Sequence, residues 1–247
     1  RAQRELEQIS HSSERKTELS RKIYSLREDM AKLAEELSNN RSEASQKLER
    51  DVAKELQDLN MAEVQFKTST LQETDQNGLT FSDGQQYRFS QNGVDMIEFM
   101  VSTNPSEPIK PLAKIVSTGE MSRFMLALKS AFSEAGNMPV LIFDEIDIGV
   151  GGRSGDIIGK KLSALSRTRQ VICVTHLAQI AAYADAHFRI SKILSGNRAL
   201  SKMEKLEGDS IINEISAMLS GPHPSEKALS NAQELVHKAK DWKKSSI

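Results

Sequence analysis

Asp144, Glu145 and Asp147 fill three of four consecutive positions directly after the apolar run Val140 to Phe143. Carboxylates this close repel one another unless a cation or a developing positive charge sits among them. Nucleotide hydrolysis needs such a group. One carboxylate holds Mg2+, commonly through coordinated water, and its neighbour positions or polarises the water that attacks the terminal phosphate. The plainer reading is that acidic residues at a strand end cap the turn that follows.

A second run, RQVICVTH at 169–176, ends in His176. Residues 146–168 between the two runs provide a loop and one crossover helix, which makes the strands parallel and brings both carboxyl ends to one edge. Ligands of open α/β sheets bind at that edge. Adjacent strands lie about 4.8 Å apart, so His176 is expected to share a site with Glu145 and to hydrogen-bond a terminal phosphate or the attacking water. Alternatively, His176 caps the helix beginning at Leu177. Further upstream, Ser117, Thr118 and Gly119 precede an amphipathic helix with Glu120 in its first turn and Met121, Phe124, Met125 and Leu128 on its apolar face. Free amides, a hydroxyl and a glycine make an anion-binding helix start. The same residues also read as an ordinary Ser/Thr N-cap with a downstream glutamate.

The elements that must position these residues follow from periodicity. Strands at 140–144, 170–175, 187–193 and 199–205 are expected to intersperse with helices at 154–166, 177–184, 209–219 and 225–241, the pattern of a parallel α/β sheet. The unbroken apolar run at 140–143 predicts a strand covered on both faces. Before it, VQFKTSTL, LTFSDGQQYRFS and VDMIEFMVST predict an antiparallel sheet over roughly 63–103, with turns at Asn77-Gly78 and Asn92-Gly93. The Pro-bearing loop NPSEPIKPLAK and a helix over 120–134 complete that stretch.

Leu19, Ile23, Leu26, Met30, Leu33 and Leu37 recur at alternating steps of four and three. A second apolar series, Ala44, Leu48, Val52, Leu56 and Leu59, follows SNN at 38–40, where the period is disturbed. A helix so polar on its other faces needs a partner, so residues 1–60 are expected to form one strand of a coiled coil, and 61–247 a head. A long helix packed on its own domain is the alternative.

With 33 basic and 34 acidic residues and a net charge of -1, no global field advertises nucleic acid or an anionic membrane, so any DNA contact must be local. The single Cys173 excludes an internal disulfide framework and suits a reducing compartment. No apolar stretch has transmembrane length. Because the chain opens on Arg1 within a charged helical pattern, it is expected to be a piece of a longer protein.

STGEMS, LIFDE and VTH, in this order after a coiled coil, resemble the second half of an ABC-type ATPase head of the SMC-like class. The stretches IFDEIDIGVGG, VICVTHLAQIAAYAD and EISAMLSG are similar to the RecN family of bacterial DNA repair proteins. The resemblance implies an α/β fold, half of such a head with parallel and antiparallel parts, and hydrolysis of ATP with Mg2+. Asp144 then matches the Walker B magnesium carboxylate, Glu145 the general base or water-positioning residue, and His176 the switch histidine. Ser117, Gly119 and Glu120 match the ABC signature, which contacts ATP bound to a second copy. Asp147 falls where the D-loop lies and is expected to turn towards that copy. Implied partners are DNA, the second copy and a missing N-terminal half, with no membrane, in a cytoplasmic, nucleoid-associated protein. Thr118 departs from the family by standing where the signature carries glycine. No GxxxxGK[ST] phosphate loop occurs in the chain, so it is expected to begin on the returning coiled-coil helix and to hydrolyse little by itself. Another SMC-like chromosome-organising ATPase and a noncatalytic coiled-coil scaffold with a degenerate head are the competing readings.

Overall fold

A computed structural model describes residues 2–104, 106–115, 118–132, 139–195 and 198–245. Helix α1 (Ala2–Asp58) runs without a break through the SNN stretch. The disturbed period there reflects a polar contact: Ser38 Oγ donates to Asp95 Oδ1 at 2.7 Å. Strands β1 (Gln65–Gln72), β2 (Thr74–Thr80), β3 (Gln86–Tyr87), β4 (Asp95–Ser102) and β5 (Lys110–Pro111) follow. They form two sheets, ordered β1-β4-β5 and β2-β3. Then come α2 (Thr118–Ala131), β6 (Val140–Phe143), α3 (Gly152–Leu165), β7 (Gln170–Cys173), α4 (Ala178–Ala181), the hairpin β8 (His187–Ser195) and β9 (Arg198–Leu206), α5 (Asp209–Ser220) and α6 (Glu226–Ser245).

The chain divides into two compact units. The first comprises residues 1–50, 66–101 and 109–112. Within it, Ala31 and Ala34 of α1 pack with Leu79, Phe81 and Val94 in one cluster. The small alanines let the sheet residues approach the helix axis. Asp95 on β4 fastens the same helix, accepting from Arg41 Nη1 at 2.9 Å as well as from Ser38, while Gln72 Nε2 donates to its Oδ1 at 2.9 Å. The apolar series from Leu19 to Leu37 stays exposed along α1. Two local expectations are revised. Asn77-Gly78 lies inside β2 at a register irregularity, where a Cβ on Gly78 would meet the Tyr87 carbonyl oxygen at 2.3 Å. Close backbone approach, rather than a hairpin turn, explains that glycine. Lys110–Pro111, expected in a loop, pairs with Met100 and Val101 as an edge strand, a position that tolerates proline.

The second unit comprises residues 51–65, 102–108 and 113–247. Val52 and Leu56, read above as coiled-coil positions, are fully buried here as core residues. The alternative of a helix packed on its own domain therefore holds for this last part of α1. Lys161 on α3 donates to Glu55 Oε2 at 2.8 Å and to Asp58 Oδ2 at 2.7 Å. Burial pulls the Lys161 ammonium down, but the carboxylates of Asp58 and Glu55 more than offset it and hold the group above its ordinary range. A second core gathers Ala178, Ala182, Tyr183, Ile215, Ala232, Val236 and Ala239 between α4, α5 and α6, with Trp242 packed against it. The strand expected to be covered on both faces is not: Leu141 and Phe143 are buried, whereas Ile142 is 68% exposed, and its β7 partner Ile172 and Val174 just beyond that strand are exposed with it. Phe188, Ile190 and Met203 are likewise exposed on the β8-β9 hairpin.

Candidate active site

Strands β6 and β7 pair in parallel with Phe143 opposite Cys173, and the Val174 amide donates to the Phe143 carbonyl at 2.9 Å. Both strands thus end at one edge, and the chain emerges there as Asp144-Glu145 on one side and Thr175-His176 on the other. Asp144 and Glu145 are both exposed. The Glu145 amide donates to Asp144 Oδ1 at 2.9 Å, which leaves the other Asp144 oxygen open to a ligand. Glu145 adopts φ 57, a left-handed conformation that costs a side-chain-bearing residue about 1–3 kcal/mol and clusters at functional sites. This reversal drives Ile146 into the core, with no exposed surface, while keeping the glutamate outside.

Asp147 behaves differently from the expectation that it faces a second copy. It is 3% exposed and turned inward. Its Oδ2 accepts from Thr175 Oγ1 at 2.5 Å, from the His176 amide at 2.7 Å and from the Leu177 amide at 3.3 Å, and it lies 3.0 Å from His176 Nδ1. Burial pushes the Asp147 carboxyl up, but the Thr175 hydroxyl, the His176 amide and the His176 charge together hold it below its usual range. The desolvated carboxylate is stable because donors surround it, so the third acid of the cluster is no longer a free charge. Nearby, burial and then the charges of Asp147 and Asp144 push the Cys173 thiol up to about 12, which makes it an inert group.

Of the signature residues, Ser117 lies outside the described residues, Gly119 is buried at the start of α2 and Glu120 is exposed. Gly119 abuts the turn after the carboxylates: a Cβ there would come within 2.9 Å of the Ile148 carbonyl oxygen. Arg123, one turn further along α2, donates from Nη1 to that carbonyl at 2.8 Å. The helix start and the carboxylate turn are therefore joined in one local assembly. Sequence reasoning missed Arg123 and Thr175. Their only signals are Arg123's spacing from Gly119 along the helix and Thr175's place directly before His176.

Among the described residues, no group of three His, Cys, Asp or Glu side chains forms a metal cage. Mg2+ needs none: it keeps several waters and binds through one or two carboxylates plus substrate phosphate. A single exposed carboxylate at a strand end, Asp144, fits that requirement.

No family model matches the chain. The DNA repair protein RecN of Halalkalibacterium halodurans is 37% identical to it over 232 residues, covering 94% of this chain and 40% of that protein. RecN of Bacillus subtilis is 34% identical over 239 residues, covering 95% of this chain and 41% of that protein. Among solved structures, the Smc head domain with a coiled coil and joint from Pyrococcus yayanosii matches 84% of this chain and 36% of that one with a TM-score of 0.57 at 15% identity, a likeness of fold. Nearly the whole chain thus aligns with the RecN family, while spanning 40–41% of the length of these relatives.

Proposed function

We propose that this chain is the hydrolytic half of an SMC-like ATPase acting in DNA repair. What carries the reading is the parallel pairing of β6 and β7, which brings two exposed carboxylates and His176 to one sheet edge beside the start of α2. In this reading, Asp144 holds Mg2+, which neutralises charge on the phosphates. Glu145, kept outside by its left-handed backbone, orients the attacking water and takes its proton. His176 hydrogen-bonds the terminal phosphate. Ser117, Gly119 and Glu120 contact ATP held by a second copy, so that ATP joins two heads and hydrolysis releases them.

A phosphate loop must then come from a segment outside this sequence. The exposed apolar faces at Ile142, Ile172 and Val174 and at Phe188, Ile190 and Met203 are where such a segment is expected to pack. Residues 1–60 serve as the arm, rooted through the buried Val52 and Leu56 in the head to which 61–247 contribute. DNA is the macromolecular partner, and a nucleoid-associated place in the cytoplasm follows from that role. Among the described residues, no helix is long and apolar enough to cross a membrane.

The test is phosphate release by this chain alone, by the chain joined to the phosphate-loop segment, and by the joined form carrying Glu145→Gln. Turnover in the joined form alone, lost in the variant, is expected. Equal turnover by the isolated chain contradicts the division of labour, and a joined form without turnover favours a scaffold.

A further inference from the structure

Asp147 performs none of the steps assigned above, yet it is the most buried carboxylate of the cluster and touches the histidine on the neighbouring strand end. We propose that Asp147 is the positioning residue of His176: by accepting Nδ1–H it fixes the imidazole with Nε2 facing outward. This deepens the ATPase reading and rests on it for the role of His176.

His176 Nδ1 lies 3.0 Å from Asp147 Oδ2, a distance at which a proton on the nitrogen makes the contact attractive and a lone pair there makes it repulsive. Asp147 is held as the carboxylate by its other donors. Nδ1 is therefore the N–H position, and the imidazole, 69% exposed, presents Nε2 away from the buried oxygen. A neutral His176 then offers a lone pair at Nε2, suited to the attacking water. A cationic His176 offers Nε2–H to a phosphate oxygen, with Asp147 as its counter-charge. Without Asp147 the neutral ring is free to place its proton on Nε2 and to rotate. The same oxygen also takes the His176 and Leu177 amides, so ring and backbone are held by one atom. Asp147 belongs to the turn whose Ile148 carbonyl receives Arg123, so the start of α2 leans on the same support.

Long-range 15N–1H spectra of the imidazoles decide the matter without nucleotide. In the wild-type chain His176 is expected in the Nδ1–H form when neutral, moving to Nε2–H in Asp147→Ala, while His11, His187, His223 and His237 keep their signals. A wild-type His176 in the Nε2–H form overturns the proposal with no variant needed. In the ATP-hydrolysing form, Asp147→Asn is expected to lower kcat about tenfold with KM for ATP within about twofold, and to add nothing in a His176→Ala background. Losses that multiply in the double variant overturn the positioning role. If the wild type shows no ATP turnover, the ATPase reading fails, and the spectrum still decides for or against Asp147.

Discussion

The three acids of DEID have three different environments, and the differences are set by single torsions and single donors. The left-handed backbone at Glu145 separates it from Asp147 by turning one side chain out and the next ones in. Glu145→Gln keeps the shape and removes the proposed base, so phosphate release is expected to fall about 100-fold or more with ATP binding retained, as single-turnover and nucleotide-binding measurements will check. Gly119→Ala adds a methyl into the Ile148 carbonyl and is expected to destabilise the chain by about 1–3 kcal/mol in a denaturant titration. Asp144, Glu145 and His176 were legible as candidates because each ends an apolar run. The inward turn of Asp147 was not, since its donors come from the end of another strand and two of them are backbone amides, which no side-chain pattern announces.

Element boundaries followed the periodicity to within about four residues from α2 to α6, the widest departures being α4, which stops at Ala181 where a helix over 177–184 was expected, and α6, which runs on to Ser245. The pattern was less informative where one element serves two environments. Helix α1 shows a heptad stripe that stays exposed from Leu19 to Leu37 and apolar residues that enter a core at Val52 and Leu56, and a spacing of three and four fits both. Leu56→Ala is accordingly expected to cost about 2–5 kcal/mol in chemical unfolding, whereas Leu26→Ala, on the exposed stripe, is expected to stay within about 0.5 kcal/mol. Asp95 fastens α1 to β4. Burial pushes its carboxyl up, but Gln72, Ser38 and Arg41 together hold it below its ordinary value of 3.8. Because the folded-state value is the lower one, Asp95 stabilises the fold above pH 3.8 and loses that contribution as pH falls through the depressed value. The stability difference between wild type and Asp95→Asn, about 2 kcal/mol near neutrality, is expected to shrink in urea titrations carried below that pH.

At the scale of the molecule, an apolar run of four residues reads as a strand covered on both faces, yet the structure covers only one face of β6. The other face carries Ile142 in the open, and under the proposed function it is the place where the phosphate-loop segment packs. Ile142→Lys places a charge on the open face and is expected to change the stability of this chain by no more than about 0.5 kcal/mol. If that face receives the phosphate-loop segment, the same substitution abolishes its association in a pull-down with that segment. The central claim is that Asp144 and Glu145 form the hydrolytic half of an ATP site completed by another segment. Its most direct test is single-turnover ATP hydrolysis by the joined protein with and without Glu145→Gln: a burst of phosphate in the wild type with bound but uncleaved ATP in the variant is predicted, and equal phosphate from both would contradict the account.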